Sequence, residues 1–161
     1  MSPGIHVLRR ANPALHLCDK SCNVWISGGY QGRSKVGYPK HILVVDDDGD
    51  VRNVIVEILK DHKYRVSSVA DGASMVDFLE IGDAVDCVVL DALMPGEASI
   101  SLALRLKETC IPVVMISGSH DAMEYAERND LQLLRKPFHT QELYNAINTA
   151  LASGEFGQRD A

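Results

Sequence analysis

The 161-residue chain is 46% hydrophobic and 24% charged, enough apolar content for one packed domain and little more. No stretch approaches the ~18 to 20 unbroken apolar residues of a membrane span, and the N-terminus lacks the compact apolar core of a secretion signal. The four cysteines, Cys18, Cys22, Cys87 and Cys110, do not form a disulfide framework, since the last two lie in or beside apolar runs where a reduced thiol packs; a cytoplasmic protein is expected.

The net charge of −6 hides a division. Residues 1–40 carry six Lys or Arg against one acid, or +5, and the remainder carries ten against twenty-one, or −11. The stretch "SGGYQGRSKVGYPK" has turn residues but neither helical nor strand period, so residues 1–39 read as a basic, disordered or irregular arm. Such an arm has three uses: contact with nucleic acid, contact with an anionic membrane, or folding back onto its own acidic domain. Its simplest reading is a solvated tail. His16, Cys18 and Cys22 match no standard pair of zinc hooks.

From Lys40 the chain alternates apolar runs with helical patterns. "HILVVD" reads as a buried strand. In "VRNVIVEILKDH", Val51, Val54, Ile55, Ile58 and Leu59 fall at the i, i+3, i+4, i+7 and i+8 positions of one helical face. A strand "RVSSVA", a helix from about Gly72 to Ile81 and a strand "DCVVLDA" follow. "SISLALRLKE" is ambiguous, because Leu102, Leu104 and Leu106 alternate as in a strand. A helix is expected there, since parallel neighbours need a crossover. Then come the strand "IPVVMIS", the helix "HDAMEYAER", the strand "LQLLRKP" and a helix from Thr140 to about Ala152. The domain is expected over residues 40–152, with a polar tail at 153–161 and no DNA-binding or other output domain after it.

Strands that are apolar throughout are buried on both faces, which implies a parallel sheet covered by helices on each side. Ligands of such sheets gather at the carboxyl ends of the strands. Those ends carry Asp46 and Asp47 on the first strand, Asp91 on the third, Ser117 on the fourth and Lys136 on the fifth. The first of them raises a chemical choice, because "ILVVDDDGD" runs a hydrophobic strand into repelling acids. Either neighbouring carboxylates share a hard metal ion, or Asp-x-Asp supplies a nucleophile and an acid for phosphate chemistry. Asp48 and Asp50 are most simply N-caps of the following helix.

With "VVDDD", "LDALMPG", "MISG" and "LRKPF" at five-fold β-α spacing, the chain resembles the response-regulator receiver domain of two-component signalling. The resemblance implies a flavodoxin-like, doubly wound (βα)5 fold with strand order 2-1-3-4-5. It further implies a phosphoacceptor that assists only its own phosphorylation and dephosphorylation. Asp91 would accept a phosphoryl group from a histidine kinase or a histidine phosphotransfer protein. Mg²⁺ would be held by Asp46, Asp47, Asp91 and the backbone carbonyl of Leu93. Lys136 and Ser117 would contact the phosphoryl oxygens, Ser117 acting as the switch. Signalling would pass to a downstream partner, or to a homodimer, through the face of the fourth helix, fifth strand and fifth helix.

The pattern has departures. Leu133 stands where receivers commonly place an aromatic switch residue, and Leu93 and Ser119 occupy positions that influence attacking water. The nearest rival is a haloacid-dehalogenase-type phosphatase, in which Asp46 would be the nucleophile and Asp48 the general acid. It prefers Thr where Asp50 stands, lacks its late acidic pair and leaves Asp91 idle. A third reading, a basic nucleic-acid-binding arm on a degenerate domain, fits poorly with an intact set of acids, Ser and Lys.

Overall fold

The computed structural model describes residues 38–94, 99–109 and 111–156. The arm with His16, Cys18 and Cys22, the Pro95 and Gly96 loop, Cys110 and residues 157–161 lie outside the described residues.

Strands β1 (His41–Val45), β2 (Arg65–Val69), β3 (Cys87–Asp91), β4 (Val113–Ser117) and β5 (Gln132–Arg135) alternate with five helices. These are α1 (Gly49–Asp61), α2 (Gly72–Ile81), α3 (Ser99–Glu108), α4 (His120–Arg128) and α5 (Thr140–Phe156). Every pairing is parallel and the order is β2-β1-β3-β4-β5, the flavodoxin-like arrangement that the family resemblance implies.

The three central strands, β1, β3 and β4, are buried at every position, which is why they read as unbroken apolar runs. Successive side chains go to opposite faces. Leu43, Val45, Val88, Leu90 and Met115 meet Met75 of α2, Leu102, Ala103 and Leu106 of α3, and Ala126 of α4. Ile42, Val44, Cys87, Val89, Val114 and Ile116 meet Ile55 and Leu59 of α1 and Leu143, Ile147 and Ala150 of α5. Burial pushes the Cys87 thiol up to about 12, so it packs as an inert apolar group.

Among the described residues the buried Ser99 hydroxyl and His62 Nε2 have no hydrogen-bond partner, whereas other buried polar groups are paired. At the base of the sheet, buried His41 bonds the Ala84 carbonyl through Nδ1 at 2.7 Å and the Ser67 hydroxyl through Nε2 at 2.9 Å. A carbonyl only accepts, so the proton sits on Nδ1. The two ends of α4 differ. Its N-cap, Ser119, makes no side-chain cap bond. Beyond its other end, Lys107 of α3 donates to the carbonyls of Asn129 and Asp130 at 2.9 and 3.1 Å, beside the left-handed Asp130.

Four details refine the sequence reading. The ambiguous "SISLALRLKE" is a helix: Leu102, Ala103 and Leu106 are buried, with Leu104 only partly so, which is helical rather than alternating spacing. Val54 is 59% exposed despite its place on the expected apolar face, because α1 turns only Ile55 and Leu59 fully into the core. Asp48 is the N-cap of α1, accepting from the Asp50 and Val51 N–H groups, so Asp50 is not a cap but lies in the first helical turn. Helix α5 runs to Phe156, past the expected Ala152.

At the start of α2, a Cβ on Gly72 would lie 2.5 Å from Cδ1 of Leu102, a residue only 1% exposed, so that buried side chain must shift to admit it. Gly72→Ala should therefore destabilise the domain by about 1–3 kcal/mol through overpacking, despite Ala's better helix propensity. Urea denaturation checks this; a variant as stable as the parent contradicts the close fit of α2 on α3.

Candidate functional site

The carboxyl edge of the sheet gathers residues spread over ninety positions of sequence. Parallel pairing places the ends of β1 and β3 side by side, with Val45 opposite Leu90, and sets Asp91 opposite Ile116. Asp46 and Asp91 then follow as buried acids while Asp47 is exposed at the rim. Each of the three offers a carboxylate oxygen within 4.8 Å of the other two.

Specific bonds hold the two buried acids. Asp46 Oδ1 accepts the Asp48 N–H at 2.9 Å, and Asp91 Oδ2 accepts the Leu93 N–H at 3.0 Å. Lys136, just past β5, donates through Nζ to Asp91 Oδ1 at 2.7 Å and to Asp46 Oδ2 at 3.4 Å. The Lys136 N–H donates to the Ser117 carbonyl at 2.8 Å, and the Lys136–Pro137 peptide is cis. Ser117 is fully buried, and its Oγ accepts the Ser119 N–H at 3.0 Å. Leu93 is 60% exposed at the mouth, whereas Leu133 is partly buried against the α2–α4 side of the core.

The electrostatics follow from this crowding. Burial raises the pKa of Asp46 and neighbouring Asp91 adds to the rise, while the Asp48 N–H and Lys136 work against it; the net shift is upward. Burial alone would lower Lys136, but its bonds and attraction to Asp91 and Asp46 prevail and its pKa is raised. Three carboxylates facing one ammonium leave a formal charge of −2. The donor set suits a hard divalent cation, because all three ligand atoms are carboxylate oxygens and Asp47 is open to solvent.

A group whose folded pKa is raised stabilises the fold fully below its unfolded value, near 3.8 for Asp46, and loses that contribution as pH rises through the folded value. Above that folded value the charged form of Asp46 therefore costs stability. Asp46→Asn, with the same shape and no charge, should melt a few degrees above the parent at pH 7 in chelator. Added Mg²⁺ should raise the parent more than the variant. A thermal-shift titration reads both, and an Asn variant that melts lower in chelator contradicts the balance described.

The sequence placed Asp46, Asp47, Asp91, Ser117 and Lys136 at strand ends, and all five stand at the carboxyl edge, with Lys136 bonded directly to two of the acids. One oxygen of Asp48 accepts two α1 N–H groups, which gives this acid the helix-capping role expected of it. One neighbour escaped the sequence reading: Arg52 of α1, whose NH1 donates to the Asp46 carbonyl at 2.6 Å. The available signal was a cation near the start of a helix, where the macrodipole disfavours positive charge.

A doubly wound sheet with a three-acid pocket and a lysine at its carboxyl edge defines a receiver-type domain. The chain belongs to the response regulator receiver domain family, which it matches over residues 42–148. It is 33% identical over 117 residues to the regulatory protein VirG of Agrobacterium fabrum, covering 70% of this chain and 46% of that one. It is 31% identical over 120 residues to the transcriptional regulatory protein FixJ of Bradyrhizobium diazoefficiens, covering 71% of this chain and 58% of that one. The chain spans only part of the length of such curated relatives, from 24% of NtrC of Rhizobium meliloti to 58% of FixJ. Among solved structures, a response regulator receiver protein from Sinorhizobium medicae superposes with a TM-score of 0.66 at 29% identity, covering 72% of this chain and 97% of that one. Among the described residues no helix is long and apolar enough to cross a membrane.

Proposed function

We propose that the chain is a Mg²⁺-dependent phosphoacceptor of two-component signalling, in which Asp91 takes a phosphoryl group from the phosphohistidine of a kinase or phosphotransfer protein. The observation that carries this reading is the 2.7 Å bond from Lys136 to Asp91 inside the acid pocket. An Asp91 oxygen attacks phosphorus, the phosphorus–nitrogen bond breaks, and its electron pair leaves with the imidazole, which takes a proton from solvent. The product is an acyl phosphate. A carboxylate needs no base for this, being already ionised at neutral pH.

The obstacle is repulsion between anions. Mg²⁺ bound by Asp46, Asp47, Asp91 and the Leu93 carbonyl would supply charge neutralisation and orient phosphoryl oxygens. Lys136 lies on the β5 side of Asp91 and offers a second cation. Ser117 Oγ, now engaged with the Ser119 N–H, is the hydroxyl that would turn to the phosphoryl group and carry the signal into α4. The readout face is α4–β5–α5, with repacking of Leu133 replacing an aromatic switch; a downstream protein or a second copy would bind there. Nothing in this scheme turns over an independent substrate.

Mass spectrometry of the chain after acetyl phosphate and Mg²⁺, locating any labile phosphate, tests the assignment. Phosphate found anywhere but Asp91 overturns it. The Leu93 side chain at the mouth gives a further expectation. It has no donor or acceptor to orient an attacking water, so the acyl phosphate should be long-lived. Leu93→Asn should shorten its lifetime severalfold in a phosphate-release assay, and an unchanged lifetime speaks against that role.

A further inference from the structure

Asp47 is the least constrained acid of the cluster. Its side chain is exposed and, among the described residues, takes no hydrogen bond or ion pair. Asp46 and Asp91, by contrast, are each held by a backbone N–H and by Lys136. What aims Asp47 is therefore the peptide joining it to Asp46.

That peptide lies just past the end of β1 at Val45, and the Asp46 carbonyl finds its partner in a side chain instead of a strand. Arg52 follows the Asp48 N-cap by four residues, its own N–H closing a helical bond to the Asp48 carbonyl at 2.9 Å. Side chains at this point lean back toward the helix start. The guanidinium thus reaches over Gly49 and donates to the Asp46 carbonyl at 2.6 Å. Among the described residues Arg52 has no carboxylate partner, so this bond is not a by-product of an ion pair.

We infer that Arg52 is a positioning residue for the divalent-ion site, holding the Asp46–Asp47 peptide so that the Asp47 carboxylate faces Asp46 and Asp91. The inference rests on the Mg²⁺ reading above and adds a residue outside the three acids. Two effects of opposite sign make it testable. As a bare charge, Arg52 repels a divalent cation, so its removal should tighten binding. As an anchor for the ligand backbone, its removal should weaken binding, by about 10-fold or more on the scale of other supports behind metal ligands.

The experiment measures Mn²⁺ binding to the unphosphorylated full chain by electron paramagnetic resonance of the free ion, in the parent, Arg52→Met, Arg52→Lys and Asp47→Asn. Arg52→Met is expected to bind about 10-fold more weakly, and Arg52→Lys, long enough to return an N–H to the same carbonyl, to recover most of the loss. Equal or tighter binding by Arg52→Met, or no recovery by Arg52→Lys, overturns the inference. Should Arg52→Met not fold, Arg52→Gln, too short to reach the carbonyl, is read by the same outcomes. A parent chain that binds no Mn²⁺, or an Asp47→Asn variant that binds as well as the parent, would instead sink the metal site itself.

Discussion

Incubation of Asp91→Asn with acetyl phosphate and Mg²⁺ is expected to leave the chain unlabelled, a loss of at least about 10⁴-fold in phosphate uptake, the scale seen when an enzyme is stripped of its nucleophile. An amide has the size of the carboxylate but not its ionised lone pairs. Both Asp91 oxygens accept hydrogen bonds, Oδ1 from Lys136 and Oδ2 from Leu93. An Asn supplies one acceptor, so one of those donors is left without its partner, at a cost of about 1 kcal/mol that the removal of a crowded charge offsets. The variant should therefore fold, and a normal thermal melt must accompany the loss. The informative control is Asp46→Asn, which would be dead if Asp46 were the nucleophile of a phosphatase. It should instead keep a slower labelling at high Mg²⁺. Full labelling of Asp91→Asn ends the proposal.

Lys136→Met is the second large effect. The lysine side chain is 31% exposed, yet its partners Asp46 and Asp91 are only 3% and 6% exposed, so the ammonium closes a pocket of buried carboxylates. Breaking a fully buried pair costs about 3–5 kcal/mol, and solvent at Lys136 reduces that toward the lower end. Its raised pKa gives the pH signature. The stabilisation is fully present below the ordinary lysine value of 10.5 and is lost as pH rises through the higher folded value. For Lys136→Met that alkaline loss should disappear. Phosphate uptake from acetyl phosphate at saturating Mg²⁺ should fall about 100-fold, the scale of losing one donor aimed at developing charge. Uptake within threefold of the parent would remove Lys136 from the chemistry and leave it a structural counter-ion.

The sequence was legible where one physical rule dominated. Burial on both faces writes β1, β3 and β4 as unbroken apolar runs, and the strand-end rule then picks out Asp46, Asp47, Asp91, Ser117 and Lys136 without coordinates. It was less legible where two rules compete. Leu102, Leu104 and Leu106 fit a strand by alternation, and only the need for a crossover makes α3 a helix. Val54 has the spacing of a core residue, but α1 packs along a narrower stripe than its apolar positions span. Asp48 and Asp50 are equal candidates for a cap until backbone geometry fixes where the helix starts. Arg52 was hard to read for a different reason: beyond its unfavourable place near a helix start, its partner is a main-chain carbonyl, which no pattern of residue types encodes.

The unequal ends of α4 carry a mechanical consequence. One end is clamped, because Lys107 grips the carbonyls just beyond the helix. At the other, the Ser119 amide is latched onto Ser117 Oγ and the Ser119 side chain adds no cap bond. Were Ser117 Oγ to swing about its Cα–Cβ bond toward a phosphoryl group, as proposed above, that amide would lose its acceptor. The opening turn of α4 would then be the part freed to move, while the Lys107 contacts beyond its far end are untouched.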